Sequence, residues 1–107
     1  MYRNITEKEK KLLEKLIEKA SDRFSKAVPE KLLVRNLDDG QMGSLKFYNP
    51  SNEDRVFGSQ VSELSFTDLD DVLVIATLYL DNYGDLFEID IWKVDFSPTI
   101  NFPDKFD

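Results

Sequence analysis

The hydrophobic residues change period at Pro29, and that switch constrains the fold more than any other feature of the chain. Before it, Leu12, Leu13, Leu16, Ile17, Ala20 and Phe24 recur at spacings of three and four, while Lys10, Glu14, Lys15, Glu18 and Lys19 fall between them. That pattern is one apolar stripe on an α-helix whose opposite side is charged. Thr6 and Glu9 supply a T-x-x-E capping box, in which a hydroxyl and a carboxylate satisfy N–H groups that a helix start leaves unpaired. The acid–base pairs along the helix (Glu7 with Lys11, Lys11 with Glu14, Lys15 with Glu18) are each worth only some tenths of a kcal/mol, so burial of the stripe must hold it. The spacing predicts a helix over about 6–27, stopped by Pro29, which also drives Val28 toward an extended conformation.

After Pro29 the period falls to two. Residues 32–37 and 44–49 read as strands joined by the turn-forming Asp38, Asp39 and Gly40, with Gly43 close behind. Pro50, Ser51 and Asn52 make a break, and residues 55–66 read as a longer strand. Within it Phe57 and Val61 share one parity and Leu64 and Phe66 the other, which calls for a bulge or bend near Gly58 or Ser62. Residues 72–80 are the most apolar run. Val72, Val74, Ala76, Leu78 and Leu80 lie on one side and Leu73, Ile75 and Tyr79 on the other, the pattern of a central strand. Asn82, Tyr83 and Gly84 turn the chain back into residues 86–96 and give the clearest hairpin of the sequence. Phe102 and Phe106 offer a means of pinning the tail that follows Pro98.

These elements predict an α+β fold. One N-terminal amphipathic helix packs on a roughly five-stranded, mainly antiparallel sheet over about 32–97, with a C-terminal tail over 98–107. At 107 residues the chain is one domain, large enough to bury roughly two-thirds of the surface its unfolded form exposes. Its 41% apolar and 33% charged residues give both a core and a solvated exterior. With 14 basic against 21 acidic residues the net charge is −7, a field that repels nucleic-acid phosphates and anionic lipids and attracts basic proteins or divalent cations. No segment approaches the roughly 20 apolar residues of a membrane span, and the first eleven residues are charged where a signal peptide would be apolar, so the expected location is cytoplasmic.

The chain has no histidine and no cysteine, which removes every Ser-His-Asp, Cys-His and histidine- or thiolate-metal arrangement. Its four glycines are dispersed, so no phosphate cradle is formed. No catalytic residue, metal ligand or cofactor follows from the sequence. Carboxylates remain. Asp81, Asp85, Glu88, Asp90 and Asp95 crowd the last hairpin, and Glu88 and Asp90, two apart on a strand, project from one face. The plain interpretation is a solvated face beside turn aspartates; the sharper one is an acidic surface for a cation or a basic partner. Asp68, Asp70 and Asp71 have the spacing of a calcium loop, but the pattern fails after two ligands and leaves a turn. Trp92, Val94 and Phe96 alternate with Lys93 and Asp95, which are expected to pair at the surface for at most about 1 kcal/mol. Trp92 reads as a core anchor, because Phe87, Ile89 and Ile91 occupy the other side and both faces look covered; as an exposed side chain it would instead be a binding hot spot.

Asp39-Gly40-Gln41-Met42-Gly43-Ser44-Leu45-Lys46-Phe47, Phe57-Gly58, Phe66-Thr67-Asp68-Leu69-Asp70 and the run from Gly84 to Pro98 together resemble a family of small bacterial proteins classed as a domain of unknown function. The resemblance spans nearly the whole chain and implies a one-domain protein with no assigned activity, cofactor or catalytic residue. The net charge of −7, the carboxylates of the last hairpin and the absence of histidine and cysteine make the expected function a non-enzymatic protein-interaction module, of the immunity or antitoxin type, facing a basic partner. Its candidate surface is Asp81, Asp85, Glu88, Asp90, Trp92, Lys93 and Asp95. The alternative is a small carboxylate-dependent enzyme or divalent-metal-binding domain using Asp81, Asp85, Glu88 or Asp90, and a homodimer through a sheet edge is a third possibility.

Overall fold

A computed structural model describes residues 1–24, 26–50 and 54–106. The break expected at Ser51 and Asn52 lies outside the described residues.

The elements in chain order are strand β1 (Arg3–Asn4), helix α1 (Glu7–Lys19), and strands β2 (Leu33–Asn36), β3 (Leu45–Phe47), β4 (Phe57–Thr67), β5 (Leu73–Asp81) and β6 (Leu86–Lys93). The architecture is α+β, with one helix against an antiparallel sheet of six strands in the order β1-β2-β3-β6-β5-β4. The strand beyond the expected five is β1, whose two residues are too short to carry an alternation. It exists because Arg3 and Asn4 lie opposite Val34 and Leu33.

The capping box forms as its residues require: Thr6 Oγ1 accepts from the Glu9 N–H and the Glu9 carboxylate accepts from the Thr6 N–H. The helix is shorter than its apolar spacing suggests, ending at Lys19 with Ala20 as its cap. Ser21 and Asp22 follow, residues whose short polar side chains compete with the helical backbone. The Arg23 and Phe24 N–H groups both donate to the Ala20 carbonyl, and this turn carries Phe24 into the core without a further helical turn.

Leu12, Leu13 and Leu16 pack on the sheet beside Val34, Leu45, Phe47, Val61, Leu64, Val74, Ala76, Leu78, Leu80, Ile89 and Ile91. This inner face also receives the tail, where Phe102 and Phe106 meet Phe66 edge-on at 5.9 and 5.7 Å. Phe102 reaches Gly43 so closely that a Cβ there would stand 2.8 Å from its ring. In β4 the register slips twice, where one bulge was expected. The slip around Val61 lets Val61 and Leu64, of opposite parity, both face the core, while the slip around Gly58 turns Phe57 away from Val61, so that Phe57 is exposed against Tyr79 on the outer face. Gly58 lies against the backbone of Asp81, where a Cβ would fall 2.1 Å from the carbonyl oxygen.

Strand β6 ends at Lys93, short of the expected 96. The Phe96 N–H donates back to the Lys93 carbonyl and Phe96 has φ 64°, so Val94 and Phe96 belong to a turn and not to an alternating strand. Among the described residues no helix is long and apolar enough to cross a membrane.

Candidate functional site

A single helix covers one face of a six-stranded sheet, and α1 is the only helix among the described residues. The outer face stays open, and it is built by the alternate residues of β6 and β5. Cross-strand pairs set Trp92 beside Ile75, Asp90 beside Thr77, and Glu88 beside Tyr79, while Lys46 of β3 lies opposite Glu88 and Arg35 of β2 opposite Lys46. At one end Trp92 is 41% exposed and meets the ring of Phe96, itself 69% exposed, at 6.0 Å. Leu73 and Val94 are exposed next to them, joined by the hydrogen bond from the Val94 N–H to the Leu73 carbonyl.

Trp92 is therefore not the core anchor its strand position suggests. The inner side of β6 is Ile89, Ile91 and Lys93, and among the described residues no layer stands over the other side. Phe87 leaves the inner parity because the register slips between Tyr79 and Leu80. It lies beneath two cations, Lys46 Nζ at 5.2 Å and the Arg55 guanidinium at 5.1 Å.

Glu88 and Asp90 share the outer face and neither forms an ion pair among the described residues. Half-burial, with the neighbouring Asp90 charge, raises the Glu88 carboxyl above its ordinary value against the pull of Lys46 and Arg35. Asp90 is raised as well, by burial and by Asp39, although Ser44 Oγ donates to it. The Tyr79 hydroxyl is pushed up by burial and then by Asp90, Glu88 and Glu63. The centre of this face thus holds carboxylate charge that the fold itself leaves poorly compensated.

The other members of the expected surface do not join it. Asp81 is buried; it accepts from the Tyr83 and Asp85 N–H groups at 2.8 and 3.0 Å, closing the β5–β6 turn, and pairs with Arg55 at 3.3 Å. The buried Arg55 guanidinium also donates to the carbonyls of Leu86 and Phe47, holding together strand ends that no ladder joins. Asp85 pairs with Lys26 at 2.6 Å. Asp95 accepts from the N–H and hydroxyl of Ser97, bonds that hold its carboxyl below the usual range.

Lys93 is the largest departure. Its side chain is fully buried, and its ammonium donates to Asp68 at 2.9 Å, Asp70 at 2.7 Å and the Pro98 carbonyl at 3.2 Å, not to Asp95. The buried Asp68 carboxylate takes three further bonds, from the N–H groups of Leu69, Ile100 and Asn101. Burial alone would raise its pKa, but these donors and the Lys93 ammonium outweigh it and hold the carboxyl down at about 2. Asp68 and Asp70, two of the three aspartates with calcium-like spacing, therefore form a lysine-centred latch that ties the β4–β5 turn to the tail.

Among the described residues no three His, Cys, Asp or Glu side chains gather as metal ligands, so Asp81, Asp85, Glu88 and Asp90 are not brought together around a cation. The fold and this face define a two-layer α+β domain with an open sheet surface. Residues 2–103 match DUF6984, a domain of unknown function, and the chain belongs to that family. No curated protein and no solved structure matches it.

Proposed function

We propose that the protein is a non-enzymatic interaction module that takes a basic protein partner on its outer sheet face, as an immunity or antitoxin protein blocks its target. One observation supports this above the rest: Glu88 and Asp90 sit half-buried and, among the described residues, without an ion pair, on the strand that ends beside the exposed Trp92 and Phe96. A partner's lysine or arginine would neutralise carboxylates already partly removed from water, and an aromatic pair beside them supplies the apolar contact typical of hot spots. The net charge of −7 would steer such a partner at low salt.

The test immobilises the protein and captures from an extract of its native host at low and at moderate salt. Proteins retained by the wild type should be lost from Trp92→Ala and from the double variant Glu88→Gln/Asp90→Asn, and should fall away as salt rises. A captured set that ignores both variants refutes the reading.

A further inference from the structure

We infer that the edge strand β4 receives an extended basic segment of the partner as a seventh strand, along residues 62–67. This rests on the proposed basic partner for its charge and adds where and how the partner's backbone docks. The sheet has two edges, β1 with two residues and β4 with eleven. An exposed edge presents a row of unpaired N–H and C=O groups, which proteins commonly blunt with bulges, lysines or prolines. The first half of β4 is blunted by the register slips at Gly58 and Val61. From Ser62 opposite Leu78 to Thr67 opposite Leu73 the pairing is regular, and this stretch contains neither lysine nor proline. Among the described residues no backbone or side-chain group bonds its outward backbone.

Beside this edge lies an open notch of about 350 Å³ lined by Lys19, Glu63, Leu64, Ser65, Leu73 and Ile75. Ser65 stands opposite Ile75, and so short a side chain leaves the apolar surfaces of Ile75 and Leu73 bare beneath it, with the Glu63 carboxylate as one wall. The notch thus holds one carboxylate, Glu63, and one ammonium, Lys19, beside the hydrocarbon of Leu73 and Ile75; an arginine or lysine that enters covers the hydrocarbon with its stem and competes with Lys19 for the Glu63 charge. Strand addition supplies the main-chain bonds and the notch supplies side-chain selection. A second copy of this chain is the poorer occupant: β4 carries no lysine or arginine to fill the notch, and two chains of charge −7 repel.

The test uses two capped hexapeptide probes, TVRVTV and its glutamate counterpart TVEVTV, and reads backbone amide exchange residue by residue. The arginine peptide should slow exchange of the outward amides of residues 62–67 by about tenfold or more. The glutamate peptide should do so less. Glu63→Lys, a change at an exposed position, should reverse that order while the melting temperature stays put. Unchanged exchange at millimolar arginine peptide overturns the inference, as does protection of these amides in the free protein together with a dimer mass by light scattering. The two readings fail separately. A partner captured through Trp92 whose complex leaves these amides exchanging freely sinks only the strand addition; amides protected by the arginine peptide, with no Trp92-dependent partner, sink only the outer-face reading.

Discussion

Replacing Lys93 by methionine keeps the length of its buried stem and deletes the ammonium. Three hydrogen bonds disappear at once: those to Asp68 and Asp70, and the one to the Pro98 carbonyl. Breaking a buried ion pair from one side costs about 3–5 kcal/mol, because the remaining charge stays out of water without its partner. Two features place this case near the lower end. Asp68 keeps its three N–H donors, and Asp70, with 37% of its side chain exposed, can turn to solvent. The expected loss is about 3 kcal/mol, which for a domain of this size lowers the melting temperature by about 12–20 °C. Urea titration followed by far-ultraviolet circular dichroism measures it. Asp68→Asn in the Lys93→Met background should cost much less than in the wild type, giving a coupling of at least about 1.5 kcal/mol in the double-mutant cycle. A loss under about 1 kcal/mol for Lys93→Met, or additivity within about 0.5 kcal/mol, would refute the latch.

Four further outcomes are expected. Because Asp68 has a folded-state pKa of about 2 against an ordinary 3.8, the unfolded chain takes up its proton first as acid is added. The stability it contributes is complete above about pH 4 and is lost between there and pH 2, so the melting temperature of Asp68→Asn should fall less steeply across that window. Gly58→Ala forces a Cβ against the Asp81 carbonyl and should cost about 3 kcal/mol by chemical denaturation; a loss below about 1 kcal/mol would show that the bulge yields easily. Trp92→Ala, at an exposed position, should change stability by less than about 1 kcal/mol while abolishing capture of the partner; a cooperative loss of fold would return Trp92 to the core. Glu88 is raised by burial and Asp90 against only partial compensation, so Glu88→Gln should leave stability within about 0.5 kcal/mol of wild type or slightly higher. A clear destabilisation would mean that Lys46 and Arg35 already neutralise Glu88.

The candidate site was only partly readable in advance. Glu88 and Asp90 share a face because strand side chains alternate, and that was legible from their spacing. The openness of the face had a signal too: only one helical stripe exists in the chain, and one helix covers one side of a broad sheet. Arg55 gave no such signal, since a lone arginine at the start of a strand looks solvated, and its burial depends on two carbonyls far from it in sequence.

The second slip in β4, which turns Phe57 outward, came only with the fold, whereas the capping box and local periodicity determined the helix start, the inner apolar stripe of the helix, a bulge in β4 and the final hairpin. These properties depend on a few neighbouring residues and on the fixed geometry of helix and strand. Tertiary structure alone decided that the helix stops at Lys19, that Arg3 and Asn4 form a sixth strand, and that Trp92 faces outward while Lys93 is enclosed. A strand's alternation says which residues share a side but not which side is covered. That is settled by where the helix and tail come to rest, and a lysine can be buried there only because two aspartates and a carbonyl from distant segments converge on its ammonium.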